Sequence, residues 1–314
     1  MKNNNYAQGG VPAAASAEDG GRSNRIKFQK KHFERRHIVE LFIKTIMRIA
    51  LLIVAGALGL ILWTIISRGL PSLSWEMVSQ VPKGGYYMGK GGGILNAIIG
   101  SAYLATGGTF LAMLLSVPIA LYLKAYLGKS RWGEYVRLSL DVLWGIPSIV
   151  YGAFGFALMI LLGMRASLLA GIIVLALVEL PIMTRAMDEV IRRMPADLEH
   201  AALALGSTKF EVALNVVTRQ MLPGIITAIL LAFGRGIGDA ASVLFTAGYT
   251  DRITTSLMNP TASLPLAVFF QLGSPYPEVR ERGYAAALIL TIIVLLVSFG
   301  SRWLSARLNR YTIK

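Results

Sequence analysis

No cysteine occurs among the 314 residues, which excludes structural disulfides and thiolate metal sites. Histidine is nearly as scarce: His32, His37 and His200 are the only three, and their spacing suits no metal centre. Charge is thin as well. Only 15% of residues are charged, against about 25% in soluble domains, too few to cover the surface of a soluble globule. Acids are outnumbered 17 to 31 by Lys and Arg, which leaves a formal net charge of +14. No small-residue cleavage site follows the first apolar run, which begins some forty residues in. That run therefore reads as an anchor and not as a removable signal. No internal repeat is visible, whereas secondary transporters usually show two related halves.

What the sequence has in quantity is apolar surface, 54% of residues, with a mean hydropathy of +0.58. These residues gather into six stretches, near 42–66, 95–125, 138–162, 167–187, 222–247 and 284–304. Each approaches or exceeds the ~20 residues that span a ~30 Å hydrocarbon core. Lipid offers backbone N–H and C=O groups no partner, so such stretches must be helices. The expected fold is all-α, a polytopic membrane protein with about six transmembrane helices.

Basic residues are distributed unevenly about these spans. With residues 1–39 inside, the loops at 124–137 and 185–219 and the tail lie on the same side. Twenty-one Lys and Arg then face the cytoplasm and seven face out. This bias places both termini in the cytoplasm, with the chain in the inner membrane. It also accounts for the net charge without nucleic acid as a partner. Four regions follow: a basic extension over 1–39, with 1–24 expected to be disordered; a first span and external loop over 40–91; a main transmembrane domain over 92–305; and a short tail over 306–314.

Two segments carry motif-like patterns. Gly84-Gly85-Tyr86-Tyr87-Met88-Gly89-Lys90 fits the start of a phosphate-cradling loop. Gly91 follows where Ser or Thr would hold Mg²⁺, and no buried strand precedes, so a flexible external loop is expected. The chain is therefore not expected to hydrolyse ATP itself, and no cofactor is implied. The second segment joins the fourth and fifth spans, Met194-Pro195-Ala196-Asp197-Leu198-Glu199-His200-Ala201-Ala202-Leu203-Ala204-Leu205-Gly206-Ser207-Thr208-Lys209-Phe210. Pro195 suits a helix start, Asp197 and Glu199 favour its positive end, and the alanines propagate it. Gly206 stops it, with Ser207 or Thr208 placed to cap the next helix. A surface-lying amphipathic helix is the alternative reading of the same residues.

This segment resembles the coupling-helix motif of ABC importer permeases, a Glu-Ala-Ala pattern closed by a glycine. The chain is more closely similar to the PstA-type permeases of phosphate importers. Gly145-Ile146-Pro147-Ser148-Ile149-Val150-Tyr151-Gly152, Leu180-Pro181-Ile182-Met183-Thr184-Arg185, Leu222-Pro223-Gly224-Ile225, Arg235-Gly236-Ile237-Gly238-Asp239 and Leu264-Pro265-Leu266 fall in that family's order, between about 92 and 304. The resemblance implies a non-catalytic permease that translocates inorganic phosphate. Its implied partners are an ABC ATPase dimer, a second, PstC-like permease subunit and an external phosphate-binding protein. It also implies ATPase coupling through Glu199, His200, Ala201, Ala202 and Gly206. His200 stands where the family motif has its glutamate, Arg219 replaces a family proline, and Asp239 replaces a glutamate.

Ionisable residues inside spans supply the candidate chemistry, since each is costly in hydrocarbon and faces a partner or a cavity. Arg235 is expected near the middle of a fifth span, with Asp239 one turn on along the same face. A guanidinium stays charged and offers forked donors that match phosphate oxygens. The pair could line an anion pathway or tie helices together. Arg185, near the inner mouth of the fourth span, could contact substrate or snorkel to the interface. Glu179 could pair with Arg235 or bond within the bundle, and Gly145 and Pro147 should weaken the third span. The candidate substrate-pathway set is Arg235, Asp239, Arg185 and Glu179. Sulfate, molybdate or tungstate would suit the same groups, and a gradient-driven transporter is the alternative of another class.

The charge asymmetry makes a direct prediction. Reporter fusions after residues 133 and 200 should report a cytoplasmic location, and fusions near 85 and 262 an external one. An external signal at 200 would overturn the orientation.

Overall fold

The structure, a computed structural model, describes residues 14–86, 91–128 and 130–308, with side chains from Val39 onward except Ser305 and Leu308. Two compact units are present, Met1–Trp63 and Thr64–Lys314. The described residues are helical and contain no strand. Helix α1 runs Ala14–Ser72, and its part from Val39 is the most apolar span, with mean hydropathy 2.7. It therefore begins inside the stretch expected to be disordered, where alanines and a run of charged helix formers sustain it.

In the second unit, α2 (Trp75–Ser79) is a short helix capped by Ser74. Then follow α3 (Leu95–Leu127), α4 (Arg131–Gly145), α5 (Ser148–Leu161), α6 (Leu168–Arg192), α7 (Ala196–Ala204), α8 (Lys209–Gly236), α9 (Leu264–Leu272) and α10 (Pro277–Leu308). Among the described residues five helices are long and apolar enough to cross a membrane, and the α4–α5 pair makes a sixth candidate. Of the loop at 84–90, residues 87–90 lie outside the described residues, as do 1–13 and 309–314. An antiparallel bridge between Pro82 and Gly92 closes the loop's base. Tyr86 beside it is buried under Arg282, whose guanidinium lies 4.8 Å from the ring centre. Burial pushes the Tyr86 phenol up to about 12, although Arg282 opposes the rise.

The core is built on α3 against α6. Ala97, Ser101, Ala105, Gly108, Ala112, Ser116 and Ala120 recur at spacings of three and four and are all buried. That small-residue stripe lets two helix backbones approach, which in lipid replaces the hydrophobic driving force. Gly108 shows how close: a Cβ there would sit 3.0 Å from the Leu175 side chain. Met183, Met187, Ile191 and Val217 extend the same core.

The expected third span, 138–162, is not one straight helix. It breaks into α4 and α5, which meet at 94°. Pro147 has no N–H to give the Leu143 carbonyl. That carbonyl accepts instead from the Ile146 N–H at 3.2 Å and the Tyr151 hydroxyl at 2.9 Å. The fifth span is also corrected: 222–247 was expected to be helical throughout, but α8 stops at Gly236. Residues 237–263 run on as turns and extended chain. Their backbone is tied to the start of α6, where the Ser167, Leu168 and Leu169 N–H groups donate to the Thr246, Asn259 and Leu257 carbonyls at 2.8–2.9 Å.

An ion network fastens α4 to α6. Arg137 grips Asp188 with both Nε and Nη2, at 2.8 and 3.2 Å, and its Nη1 donates to the Gly128 carbonyl. Arg185 bridges Asp188 and Asp141. Asp188 is fully buried, so Asp188→Ala would strand Arg137. The expected loss is about 3–5 kcal/mol, read as a lowered thermal unfolding temperature of the purified protein. Unchanged stability would mean the network contributes nothing net.

Candidate translocation site and coupling surface

The break after Gly236 sets the candidate site. Gly236 packs on the carboxylate of Glu179, the twelfth of the 25 residues of α6, so closely that an added Cβ would overlap Oε1. The end of α8 therefore lies level with the middle of α6. Beyond it, Ser242, Val243, Thr246 and Ala247 are buried. Gly152 of α5 faces the Ala241 and Ser242 carbonyls, where a Cβ would come within 2.7–2.9 Å. Non-helical backbone is tolerated at such depth only when protein encloses it or water fills the space beside it. Here α5 and α6 enclose it.

The four pathway candidates fall into different settings. Arg235 occupies the last turn of α8 and is exposed, with no ion pair among the described residues. Asp239, expected one helical turn further on the same face, lies past the helix end. Its Oδ1 accepts from the Ser242 N–H at 2.9 Å, so it caps a turn. The pairing of Arg235 with Asp239 thus fails for want of a helix to align them. Glu179 is fully buried, and neither of its oxygens has a hydrogen-bond partner among the described residues. Thr109, from α3, is also buried with an unbonded hydroxyl, close enough to Glu179 to interact with it. Arg235 immediately precedes Gly236, which packs on that carboxylate, and Asp239 follows three residues after it. Arg185 stands apart, committed to Asp141 and Asp188.

The coupling segment folds as a short helix, a glycine turn and a second helix. Helix α7 spans Ala196–Ala204 with Pro195 as its N-cap residue. Gly206 has φ 88°, the left-handed conformation that a glycine accepts without strain. The Ser207 N–H donates to the Ala202 carbonyl and the Gly206 N–H to that of Leu203, at 3.2 and 3.0 Å, which is a Schellman closure. Thr208 then caps α8 through a reciprocal pair with Glu211.

Helix α7 presents two faces. Leu198, Ala202 and Leu203 pack on the core, and Glu199 turns inward to Lys124 of α3 at 3.0 Å. His200, Ala201, Leu205 and Gly206 are exposed, with Leu205 88% exposed. Phe210, just past the turn, is exposed too. Leu205 and Phe210 were not singled out from sequence. An apolar residue on each side of a glycine stop was the available signal.

Residues 116–313 match the model of the family described as binding-protein-dependent transport system inner membrane component. The phosphate transport system permease protein PstA of Xylella fastidiosa (strain 9a5c) is 34% identical, covering 88% of this chain and 95% of that protein. The protein of the same name from Pasteurella multocida (strain Pm70) is 32% identical over 86% of this chain and 96% of its own length. Among solved structures, an inward-facing conformation of the MetNI methionine ABC transporter superposes with a TM-score of 0.57 at 16% identity. It covers 68% of this chain and 95% of the matched one, a likeness of fold.

The glycine turn yields a prediction. A Cβ at Gly206 meets nothing within 4 Å, so Gly206→Val suffers only the backbone penalty, about 1–2 kcal/mol for a left-handed residue. The variant should still insert, but the helix–turn–helix surface should distort and transport should uncouple from ATP hydrolysis. Transport and ATPase rates both equal to wild type would remove the coupling assignment.

Proposed function

The chain belongs to the family of inner membrane components of binding-protein-dependent transport systems, and from that premise we propose that it is the translocating permease of an ATP-driven phosphate importer. The observation that carries the reading is Arg235: an exposed guanidinium, without an ion pair among the described residues, level with the middle of α6 where α8 ends. A cation left exposed at that level is expensive in lipid, so it faces a second subunit or a water-filled path. The relatives named as phosphate permeases supply the anion class, and a guanidinium fork matches its oxygens.

The assembly then has a PstC-like second permease beside this chain, an ATPase dimer below and a phosphate-binding protein outside. The exposed face of α7, with His200, Ala201 and Leu205 beside Gly206, docks into the ATPase. Closure of the nucleotide domains on ATP moves α7 as a rigid piece. Lys124 and the Leu198–Leu203 contacts pass that movement to α3 and α6. Phosphate meets Arg235 as the site alternates between the two sides, and the site holds it weakly enough to let it go. Both termini lie in the cytoplasm, and ATP hydrolysis belongs to the partner chain.

The test is phosphate uptake into proteoliposomes holding the full complex, with binding protein outside and ATP inside. Arg235→Gln should lower uptake about 10- to 100-fold, as expected for losing a charge-assisted hydrogen bond of ~1.5–3 kcal/mol. Assembly should persist, since the change breaks no ion pair of Arg235 among the described residues. Wild-type uptake by an assembled Arg235→Gln complex would sink the proposal.

A further inference from the structure

The floor beneath the end of α8 holds a carboxylate that nothing yet explains. Glu179 is fully buried, and both its oxygens lack hydrogen-bond partners among the described residues. A buried charge of this kind is costly unless some state of the protein pairs it. The groups that face it can be named. Helix α3 brings the unbonded Thr109 hydroxyl, α8 brings Gly236 and, next to it, Arg235, and the following turn brings Asp239. Asp239 is an acid and already caps Ser242. On α6 itself, Arg185 and Asp188 are held within the network that reaches α4. Arg235 is thus the cation in reach of Glu179 with no other claim on it among the described residues.

We propose that Glu179 is the resident counter-anion of the translocation site: it takes the Arg235 guanidinium between transport events, and the arriving oxyanion displaces it. This rests on the permease reading above. A carboxylate and a phosphate both present paired oxygens to the guanidinium fork, so each is a direct substitute for the other. Exchange between them keeps one negative charge on Arg235 throughout, where simple release would leave a bare cation at low dielectric. The anion then leaves without the full cost of breaking an ion pair, which a site for transport requires. Gly236 makes the exchange possible. Any side chain there would occupy the space over the carboxylate, and Arg235, one residue earlier, is exposed, so its long arm is not packed in place.

The reconstituted full complex tests this with Glu179→Gln, which keeps the shape and removes the charge. Without the competing carboxylate, phosphate should be held harder. The half-saturating concentration should fall and the maximal uptake rate should drop, each by about tenfold, the factor that accompanies ~1.4 kcal/mol. A purely structural carboxyl would move both little or in the same unfavourable sense. Glu179→Gln kinetics equal to wild type would overturn the proposal, while absence of phosphate uptake in the wild-type complex would instead overturn the permease reading. Should the variant fail to assemble, Glu179→Asp, which keeps the charge on a shorter arm, gives a second measurement. A half-saturating concentration and a maximal rate that both fall in the assembled Glu179→Asp complex support the exchange, and wild-type values of both refute it.

Discussion

Inside a bilayer no backbone N–H or C=O can be left to solvent, and the arrangement of this permease follows from how two breaks in its helices meet that demand. At Pro147 the demand is local: the Leu143 carbonyl loses one donor and gains the Ile146 N–H and the Tyr151 hydroxyl. Past Gly236 it is distributed. The segment bonds to the first residues of α6, and Asn96 and Ser101 of α3 take the Thr250 carbonyl and the Leu264 N–H at 2.6 and 2.7 Å. The first turn of α6, whose N–H groups would otherwise be orphaned, finds its acceptors in that same segment. Two deficits cancel, and the chain can stop a helix in the middle of the membrane.

The small-residue face of α3 is what brings these partners within reach. Gly100 lies against the Ala262 carbonyl so tightly that a side chain would overlap it. With α3 and α6 fixed backbone to backbone, α5 and the irregular segment are laid against a firm surface. The ion network at Arg137, Asp188, Arg185 and Asp141 holds α4 to the far end of the same helix. Anchored parts and movable parts are therefore distinct. The core pair is dense, whereas among the described residues α7 meets the core through one apolar face, shared with the start of α8, and the Lys124–Glu199 contact.

Much of this was legible in the residues. Spans declare themselves by composition, because twenty apolar residues have few other uses, and Gly206 announced its left-handed backbone by standing after an alanine-rich helix. The misreadings share one cause. The apolar stretch at 222–247 does not reveal where its helix stops, since a buried irregular segment is as apolar as a helix, whereas Gly145 and Pro147 mark the break within 138–162. The mispairing of Arg235 with Asp239 followed from that: helical spacing was applied where no helix exists. Glu199 and His200 are adjacent in sequence, yet one turns inward to Lys124 and the other outward. That distinction depends on the packing of α7, which spacing alone does not encode.

The exposure of Arg235 bears on how the protein exists in a cell before it has partners. A guanidinium facing the middle of a bilayer carries an insertion penalty of about 2.5–3.5 kcal/mol, which the lone chain must bear and an assembled one need not. Subunit association and proper embedding are then thermodynamically linked, so that whatever covers Arg235 also stabilises the fold around it. Copies synthesised in excess of the neighbouring subunit would remain the less settled population and the readier prey for membrane proteases. The stoichiometry of an assembly around this chain would thus be enforced by the charge that we propose meets its cargo.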